Sequence, residues 1–475
     1  MHPIASIRIA STRMHTLTAA ALLSVGVLVG AAAPALAQPI DTLGMGSRSI
    51  AMGGAVTADV QDFTANYYNP AGLARAGAAR VGVGYFGAFH EMQVNGQDSN
   101  IDPVRGLVLG LVVPGQIGDV RFAFGLAMHL NDDYLSRSRS LPSRRPRWEL
   151  YDNRPRRTYL GANLAIRPFP WLTIGGGISF LSYSNNTLTA RGSLDVISPE
   201  RRSRLEHEIR TDLLTIRYPQ AGIQVQPIPE VSIGLVYRGA FALDNTLVAN
   251  VGCDDSSDPS CTTPLSFTGI GAPFPGYFNL LTQSVNAYVP QQVSLGGSWD
   301  ITPDFRMNAE VTWVNWSSYI SPVGTSAIRL VIDVPPSLVD LVRVPSEIAG
   351  SVPIPANFQD RFVPRLGAEG VALREPGVAL RVRGGAFYEN SPAPSQTEFT
   401  NLIDTDRWAF SAGAGLHLDQ LRPFLPGFLD FDVHFQYAYF PERTMRKTSL
   451  VDPIGDYRAA GHGFAGGLTM EVGFE

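Results

Sequence analysis

The segment Leu429-Asp430-Phe431-Asp432-Val433-His434-Phe435-Gln436-Tyr437 alternates an apolar side chain with a polar one at every position. Successive side chains point to opposite faces of a β-strand, so this alternation predicts a strand with one apolar face and one polar face. The same pattern recurs at 120–130, 305–313 and 464–475. It extends over most of the chain, and the sequence therefore predicts an all-β protein.

About fourteen strands are predicted, and the connections between them alternate in length. The strands are 80–91, 105–113, 119–130, 157–167, 171–185, 204–226, 230–249, 285–300, 304–319, 357–372, 376–389, 405–418, 427–440 and 459–474. Tight turns occur at 114–118, 168–170, 227–229, 302–304 and 374–377, and long segments at 131–156, 250–284, 320–356, 390–404 and 441–458. Such asymmetry is typical of outer-membrane β-barrels. We therefore expect a transmembrane antiparallel β-barrel with its short turns in the periplasm.

The polar faces of these strands carry many charges, although only 17% of the 475 residues are charged. The charged residues on these faces are Arg121, Arg238, Arg306, Glu310, Arg361, Arg365, Glu369, Arg381, Arg383, Asp430, Asp432 and Glu471. They would be costly in the dry core of a soluble β-sandwich, the alternative fold, whereas opposite charges can pair in a wet lumen. The formal net charge of −5 does not suggest a nucleic-acid partner.

The N-terminus has the pattern of a secretory signal peptide, which we assign to residues 1–37. Arg8 and Arg13 precede an apolar stretch at 17–30, and Ala35-Leu36-Ala37 is a small-x-small cleavage site before Gln38. A membrane-anchoring helix is the alternative interpretation. After Gln38 we find no apolar run of about 18 residues, the length that a spanning helix needs. A membrane protein without such helices must close a β-barrel, because lipid cannot satisfy free backbone groups.

The two cysteines, Cys253 and Cys261, lie in the segment Cys-Asp-Asp-Ser-Ser-Asp-Pro-Ser-Cys. Two cysteines at short spacing in an exported chain predict one local disulfide at a loop tip. The aspartates between them offer oxygen ligands for Ca²⁺, which is one alternative, and an uninvolved pair of cysteines is the other. We expect the disulfide and predict no metal site.

Residues 38–77 precede the first predicted strand and do not alternate. They are rich in glycine and turn formers, including Gly53, Gly54 and the sequence Asn69-Pro70-Ala71. Glycine allows close approach of backbones and positive φ, and Asn-Pro favours a turn. The segment could be a flexible leader or could fold compactly inside the lumen of the barrel.

Several motifs resemble those of the FadL family of outer-membrane transporters, which includes a TodX-like branch. Ser49-Ile50-Ala51-Met52-Gly53-Gly54-Ala55 and Tyr68-Asn69-Pro70-Ala71-Gly72-Leu73 resemble the N-terminal hatch of that family. Further similar motifs follow in order at 289–296, 310–317, 357–367, 383–392 and 404–413. The resemblance implies a hatch at 38–77 that plugs a fourteen-stranded barrel at 78–475. The chain departs from the usual barrel ending, because Glu475 follows the terminal aromatic Phe474.

The resemblance also implies transport of long-chain fatty acids or aromatic hydrocarbons. A ligand would be captured outside, pass to a pocket near the hatch, and leave sideways where the third strand kinks. Gly125 lies at the middle of that strand, and glycine often marks a strand irregularity, so we predict the lateral opening there. The alternative is that Gly125 makes room for the hatch.

Two predicted outer loops are unusually apolar and are candidates for ligand capture, since exposed apolar patches usually mark interaction sites. The candidate ligand-binding residues are Phe274, Tyr277, Phe278, Leu280, Leu338 and Leu341. Loop self-packing or contact between copies of the chain are the alternatives. The expected partners are a hydrophobic small molecule, outer-membrane lipid and lipopolysaccharide, and we expect a monomer in the outer membrane of a Gram-negative bacterium.

No pattern of catalytic residues is present, so we predict neither an enzyme nor a bound cofactor. The histidines are scattered without metal-ligand spacing, and no Gly-x-Ser-x-Gly motif occurs. Two alternatives to a hydrophobic-substrate transporter remain open from the sequence. One is a non-specific aqueous porin, and the other is an accessory or anchoring barrel for a secretion system.

Overall fold

The computed structural model describes most of the chain after residue 39. The described residues are 40–132, 146–152, 158–195, 204–251, 265–269, 272–319, 325–332, 347–348, 355–398, 400–423, 426–449, 452 and 454–474. They belong to one compact unit, Leu36–Glu475. Within these ranges, no helix has the length and apolar character needed to cross a membrane. The predicted signal peptide and the predicted disulfide between Cys253 and Cys261 lie outside the described residues.

Fourteen antiparallel strands form a closed barrel, which confirms the predicted fold class. They are β1 Ala79–Val94, β2 Val104–Ile117, β3 Val120–Asn131, β4 Tyr159–Phe169, β5 Leu172–Asp195, β6 Arg204–Ile228, β7 Val231–Arg238, β8 Gln292–Thr302, β9 Phe305–Val314, β10 Arg361–Glu375, β11 Val378–Glu389, β12 Arg407–Leu418, β13 Gly427–Met445 and β14 Tyr457–Phe474. Each strand pairs with the next. The ring closes between β1 and β14, from Ala79 opposite Phe474 to Val94 opposite Ala459.

The alternation seen in the sequence separates an outer face from a lumen face. In β13, the apolar side chains of Phe431 and Phe435 are 41% and 53% exposed, whereas His434 and Gln436 are buried. The exposed apolar side chains face outward, where the bilayer would cover them. Because the barrel is closed, its wall leaves no unpaired strand edge within the membrane.

Five of the connections at one end of the barrel are two-residue turns, at 118–119, 170–171, 229–230, 303–304 and 376–377. Gly377 has φ +83°, the left-handed conformation that such tight hairpin turns favour. The turn predicted at 114–118 is shorter than expected, because β2 continues through Pro114, which lies opposite Ala123, to Ile117. The connection between β12 and β13 spans residues 419–426, in agreement with the predicted strands 405–418 and 427–440.

The opposite end carries additional strands, mostly where long loops were predicted. The predicted strands 230–249 and 285–300 were wrong in their extent, because each is divided into a barrel strand and an outer strand, at 239–240 and at 290–291. Phe241–Val251 pairs with Ala272–Val289, which in turn pairs with Thr325–Ile332. Phe241–Val251 also runs parallel to the outer part of β5. β5 has 24 residues, well beyond the roughly 10 that cross a bilayer, so its outer part offers an edge for further pairing. The predicted loops at 250–284 and 320–356 therefore contain strands of an outer sheet.

Residues 40–76, here called the inner segment, form short helices. These are α1 Ile40–Leu43, α2 Ser47–Ala51, α3 Ala65–Tyr68 and the 3₁₀ helix Pro70–Arg75. Nearly every residue of the inner segment is buried, and Met45, Met52 and Leu73 are 0% exposed. These side chains join one apolar cluster with lumen-facing residues such as Phe86 and Tyr159.

Candidate functional site

The inner segment is fixed by lumen-facing side chains from strands well separated around the barrel. The hydrogen bonds run from Thr57 N to Glu310 Oε2 (3.1 Å), Asn308 Nδ2 to Ala55 O (2.7 Å), Gln224 Nε2 to Thr57 O (3.1 Å), Ser47 N to Thr469 Oγ1 (3.0 Å) and Phe63 N to Glu471 Oε2 (3.3 Å). Buried backbone groups in irregular structure need such partners. The barrel wall therefore supplies part of the hydrogen bonding that the inner segment lacks internally.

Two asparagines anchor the second half of the inner segment. The carbonyl oxygen of Asn66 accepts hydrogen bonds from Tyr159 Oη at 3.0 Å and Gln220 Nε2 at 2.6 Å. Asn69 Oδ1 accepts from Ala71 N at 3.1 Å, and Asn69 Nδ2 donates to Thr57 O at 2.8 Å. Pro70 begins the 3₁₀ helix, where its missing N–H is not needed. The Asn-Pro-Ala sequence thus forms a capped turn that packs against the wall.

Gly53 and Gly54 lie where the inner segment approaches β10 and β11 most closely. Their φ values are +65° and +76°. A Cβ on Gly53 would lie 2.9 Å from Ala386 N and 3.0 Å from Leu366 O. Both neighbours are backbone atoms of the barrel wall, so no side-chain rotation could relieve the contact. The two backbones can meet here because residue 53 has no side chain.

Gly125 faces the inner segment from β3. A Cβ at this position would lie 2.5 Å from Asn66 Oδ1 and 2.8 Å from Leu73 Cδ1. The pairing of β3 with β2 and β4 passes through Gly125 without a register shift. This geometry fits the alternative that the glycine makes room for the inner segment, and a lateral opening at Gly125 stays a prediction.

A charged vestibule lies between the inner segment and the short-turn end of the barrel. Its volume is about 300 Å³. The charged residues of its lining are Arg48, Asp62, Arg80, Asp300, Asp304, Arg306, Glu369, Arg374, Arg381, Arg383, Asp430, Asp432 and Glu471. Many are paired, as in Arg48 with Asp59 (2.8 Å), Arg383 with Glu369 (2.6 Å) and Arg80 with Glu471 (2.9 Å). An apolar molecule would gain nothing by entering this compartment.

On its other side, the inner segment forms the floor of a small chamber. The cavity has a volume of about 50 Å³ and is lined by Ile40, Leu43, Tyr67 and Tyr68 of the inner segment. Burial raises the pKa of the Tyr68 phenol to about 12. Four arginines of the wall also line the chamber, namely Arg238, Arg361, Arg365 and Arg407. The chamber therefore combines apolar surface from the inner segment with guanidinium groups from the wall.

Glu389, at the outer end of β11, contacts three of these arginines. Its carboxylate oxygens lie 2.7 Å from Arg407 Nη2, 3.5 Å from Arg361 Nη2 and 3.7 Å from Arg365 Nη2. Arg407 Nη1 also donates a hydrogen bond to Thr42 O at 3.0 Å. The guanidinium groups of Arg365 and Arg407 lie 4.7 Å and 4.9 Å from the centre of the Phe387 ring. Glu389 thus holds a cationic cluster in place at the chamber wall.

Segments from two outer connections, here called the outer cap, fold above the chamber. The outer cap comprises residues 146–152, 390–398 and 400–406. Its two parts pair in parallel, with Arg147 opposite Leu402 and Trp148 opposite Ile403. Tyr151 packs edge-to-face on Phe440 of β13, with ring centres 5.1 Å apart. The outer cap thereby joins an apolar cluster that includes the chamber residue Phe387.

One arginine and one buried carboxyl group characterise the outer cap. Arg443 Nη1 donates to Ser391 Oγ at 3.0 Å, Ala393 O at 2.9 Å and Asp404 O at 3.0 Å. The side chain of Asp404 is 1% exposed, and burial raises its pKa to about 6 although the charge of Arg361 opposes the shift. Asp404 belongs to the outer cap, whereas Arg443 belongs to the outer end of β13 and binds the outer cap from the wall.

Phe274, Tyr277, Phe278 and Leu280 belong to the outer strand Ala272–Val289, where Leu280 is half-buried. Leu338 and Leu341 lie outside the described residues, so the capture site stays a prediction.

Sequence reasoning placed Arg238, Arg361 and Arg365 on the lumen face, and all three line the chamber. It did not include Glu389 or Arg407 among the lumen-facing charges, although Arg407 lies in the motif at 404–413. The alternation in β11 was the available signal for Glu389, because it continues the lumen-facing set of Arg383 and Phe387.

The sequence matches a family model described as "Outer membrane protein transport protein (OMPP1/FadL/TodX)" over residues 26–475. The chain belongs to this family. The match confirms the resemblance found in the motifs and assigns this OMPP1/FadL/TodX protein to the outer membrane of a Gram-negative bacterium as a transport protein. The search of curated proteins found no match.

Solved structures of similar proteins have the fold of this OMPP1/FadL/TodX member. A FadL homologue from Pseudomonas aeruginosa superimposes with a TM-score of 0.57 at 15% identity, covering 93% of this chain and 99% of its own. The CymD monoaromatic hydrocarbon channel superimposes with a TM-score of 0.52 at 14% identity, covering 90% of this chain and 97% of its own. At 14% and 15% identity, these superpositions show that the proteins share a fold.

Proposed function

We propose that this protein takes up hydrophobic small molecules, either long-chain fatty acids or aromatic hydrocarbons, and releases them sideways into the membrane. The position of the inner segment carries the proposal. It separates the outer cap and the chamber, both of which include apolar side chains, from the charged vestibule. An apolar molecule that reached the chamber would lose free energy on entering the vestibule, but it would gain free energy on entering lipid. The inner segment would then act as a hatch that prevents direct passage.

The chamber volume of about 50 Å³ is smaller than such a cargo, so we propose that uptake requires movement around the chamber. The inner segment and the outer cap enclose it from two sides and are the elements that would move. The outer strands that hold Phe278 and Leu280 would provide the first capture surface. The lateral opening would lie in β3, next to the Asn66 contact of Gly125.

The direct test is copurification. The protein extracted in a mild detergent would be examined by mass spectrometry for bound lipid or hydrocarbon, and uptake would be measured in cells with and without the gene. A bound apolar molecule together with gene-dependent uptake would support the proposal. Copurification with protein partners and no apolar molecule would favour an accessory barrel instead.

Conductance distinguishes the transporter from an aqueous porin. The inner segment is bonded to β6, β9 and β14, and it leaves the lumen obstructed. Purified protein in a planar bilayer should therefore show little or no steady conductance. Large steady channels would contradict the proposed function.

We also propose that the outward face contacts outer-membrane lipid and lipopolysaccharide as a monomer. Phe89 stacks on Phe464 at 5.1 Å, and Tyr388 packs on Trp408 at 4.5 Å, so each pair joins two neighbouring strands. Aromatic side chains of barrels are enriched at membrane interfaces. A barrel that closes within one chain needs no second copy, and light scattering of the detergent-extracted protein would test this.

A further inference from the structure

The arginine cluster of the chamber has the chemistry of a carboxylate site, but a side chain of the protein already occupies it. Arg361, Arg365 and Arg407 all lie within 4 Å of the Glu389 carboxylate. Planar guanidinium groups bind carboxylates through paired, charge-assisted hydrogen bonds. The carboxylate of an acidic ligand would bind the same guanidinium groups. Glu389 therefore stands where the headgroup of an anionic cargo would bind.

The other two acids of the chamber lining, Glu310 and Asp41, form hydrogen bonds with other groups. Glu310 accepts a hydrogen bond from Thr57 N at 3.1 Å, and Asp41 accepts one from Tyr67 Oη at 2.9 Å. The fourth arginine, Arg238, lies over the Tyr67 ring at 4.3 Å. Glu389 is thus the chamber acid that contacts the cluster of three arginines and offsets part of their charge.

An anionic headgroup would compete with Glu389 for the Nη2 groups of these three arginines. The Glu389 side chain is 5% exposed, so a displaced carboxylate would remain in a poorly solvated position. Leaving one member of a buried ion pair without its partner is strongly unfavourable. A neutral apolar molecule carries no charge that would compete with Glu389 for the three arginines. The arrangement therefore penalises acids selectively.

We propose that Glu389 is a specificity-determining residue that acts as an internal competitor and makes the chamber select neutral molecules over carboxylates. The proposal rests on the proposed function, because it assigns a preference to the same transport path. It favours uncharged hydrocarbons or esters as cargo over ionised fatty acids.

The test compares two probes of equal chain length, dodecanoate and 1-dodecanol, at pH 9, where the acid is ionised. Dissociation constants would be measured by calorimetry on the full-length mature protein in nanodiscs. Wild type should bind the alcohol at least about tenfold more tightly than the acid. In Glu389→Gln, the affinity for dodecanoate should rise about tenfold, whereas that for dodecanol should change by less than about twofold.

Two further variants make the outcome decisive. Glu375→Gln removes an exposed carboxylate at the short-turn end and should leave the ratio of the two constants unchanged. If Glu389→Gln does not fold, the double variant Glu389→Gln/Arg361→Gln, which keeps the charge balance, should still gain affinity for dodecanoate. An unchanged ratio in the folded variant would overturn the role of Glu389 alone. Wild type that bound neither probe would overturn the proposed function as well.

Discussion

Gly53 and Gly96 share a left-handed backbone conformation but differ in their surroundings. Their φ values are +65° and +77°. A Cβ on Gly53 would meet backbone atoms of the barrel wall, whereas nothing lies within 4 Å of a Cβ on Gly96. A side chain added at position 96 therefore costs only the free energy of the left-handed backbone conformation. A side chain added at position 53 costs that free energy and also that of the steric contact with the wall.

We expect Gly53→Ala to destabilise the folded protein by about 2 kcal/mol more than Gly96→Ala. The added methyl group would force the inner segment away from β10 and β11. Urea unfolding in detergent, followed by tryptophan fluorescence, measures the difference. Equal losses in the two variants would show that the inner segment can shift without cost.

Asp404 should make the stability of the folded protein depend on pH. Because burial raises its pKa to about 6, the folded state binds this proton more tightly than the unfolded state does. Protonated Asp404 therefore contributes about 3 kcal/mol to the free energy of unfolding. This contribution is fully present below about pH 4 and is lost as the pH rises through 6. Asp404→Asn should remove this part of the dependence between pH 4 and pH 8, as measured by the thermal unfolding midpoint. Asp119→Asn, at an exposed turn position, is the control and should retain the wild-type profile.

At the scale of elements, the outer cap depends on one side chain from the wall. Arg443 bonds to three groups of the segment 391–404, and these bonds hold the segment over the chamber. In Arg443→Gln, we expect the segment to open more often. A cysteine at the buried position Ala393 should then react with a maleimide at least several times faster in intact cells.

The control for this labelling is Arg458→Gln. Arg458 is 63% exposed and pairs with the exposed Glu442, so its loss should leave the rate at position 393 unchanged. Equal rates in the two backgrounds would mean that Arg443 does not restrain the outer cap.

The barrel strands were predictable because each one has two different environments. In β13, the exposed Phe431 and the buried His434 illustrate the contrast that the sequence records as alternation. The outer strand Ala272–Val289 was predicted mostly as loop, since it pairs with segments outside the bilayer and needs no apolar face. The cluster around Glu389 was not predictable, because its partners lie on β10 and β12. Those contacts depend on register and tilt, which local sequence does not specify.

At the scale of the whole molecule, the wall and the inner segment have separate roles. Fourteen strands close on themselves through the β1–β14 pairing, and the inner segment adds no strand to the ring. We expect a variant lacking residues 40–76 to insert as a folded barrel and to conduct ions with large steady steps in a planar bilayer. A difference in gel mobility between heated and unheated samples would verify that the variant is folded. A folded variant without conductance would disprove the prediction.

The pairing of the last strand with the first has a consequence for biogenesis. Residues of β14 bind the inner segment directly, through Thr469 to Ser47 and through Glu471 to Phe63. The chain makes the inner segment first and β14 last, so these bonds complete only when synthesis and export are finished. The strand β14, which closes the barrel by pairing with β1, therefore also completes the binding of the inner segment. A barrel that sealed before its N-terminus had entered would lack these bonds, and the assembly machinery would release a leaky product.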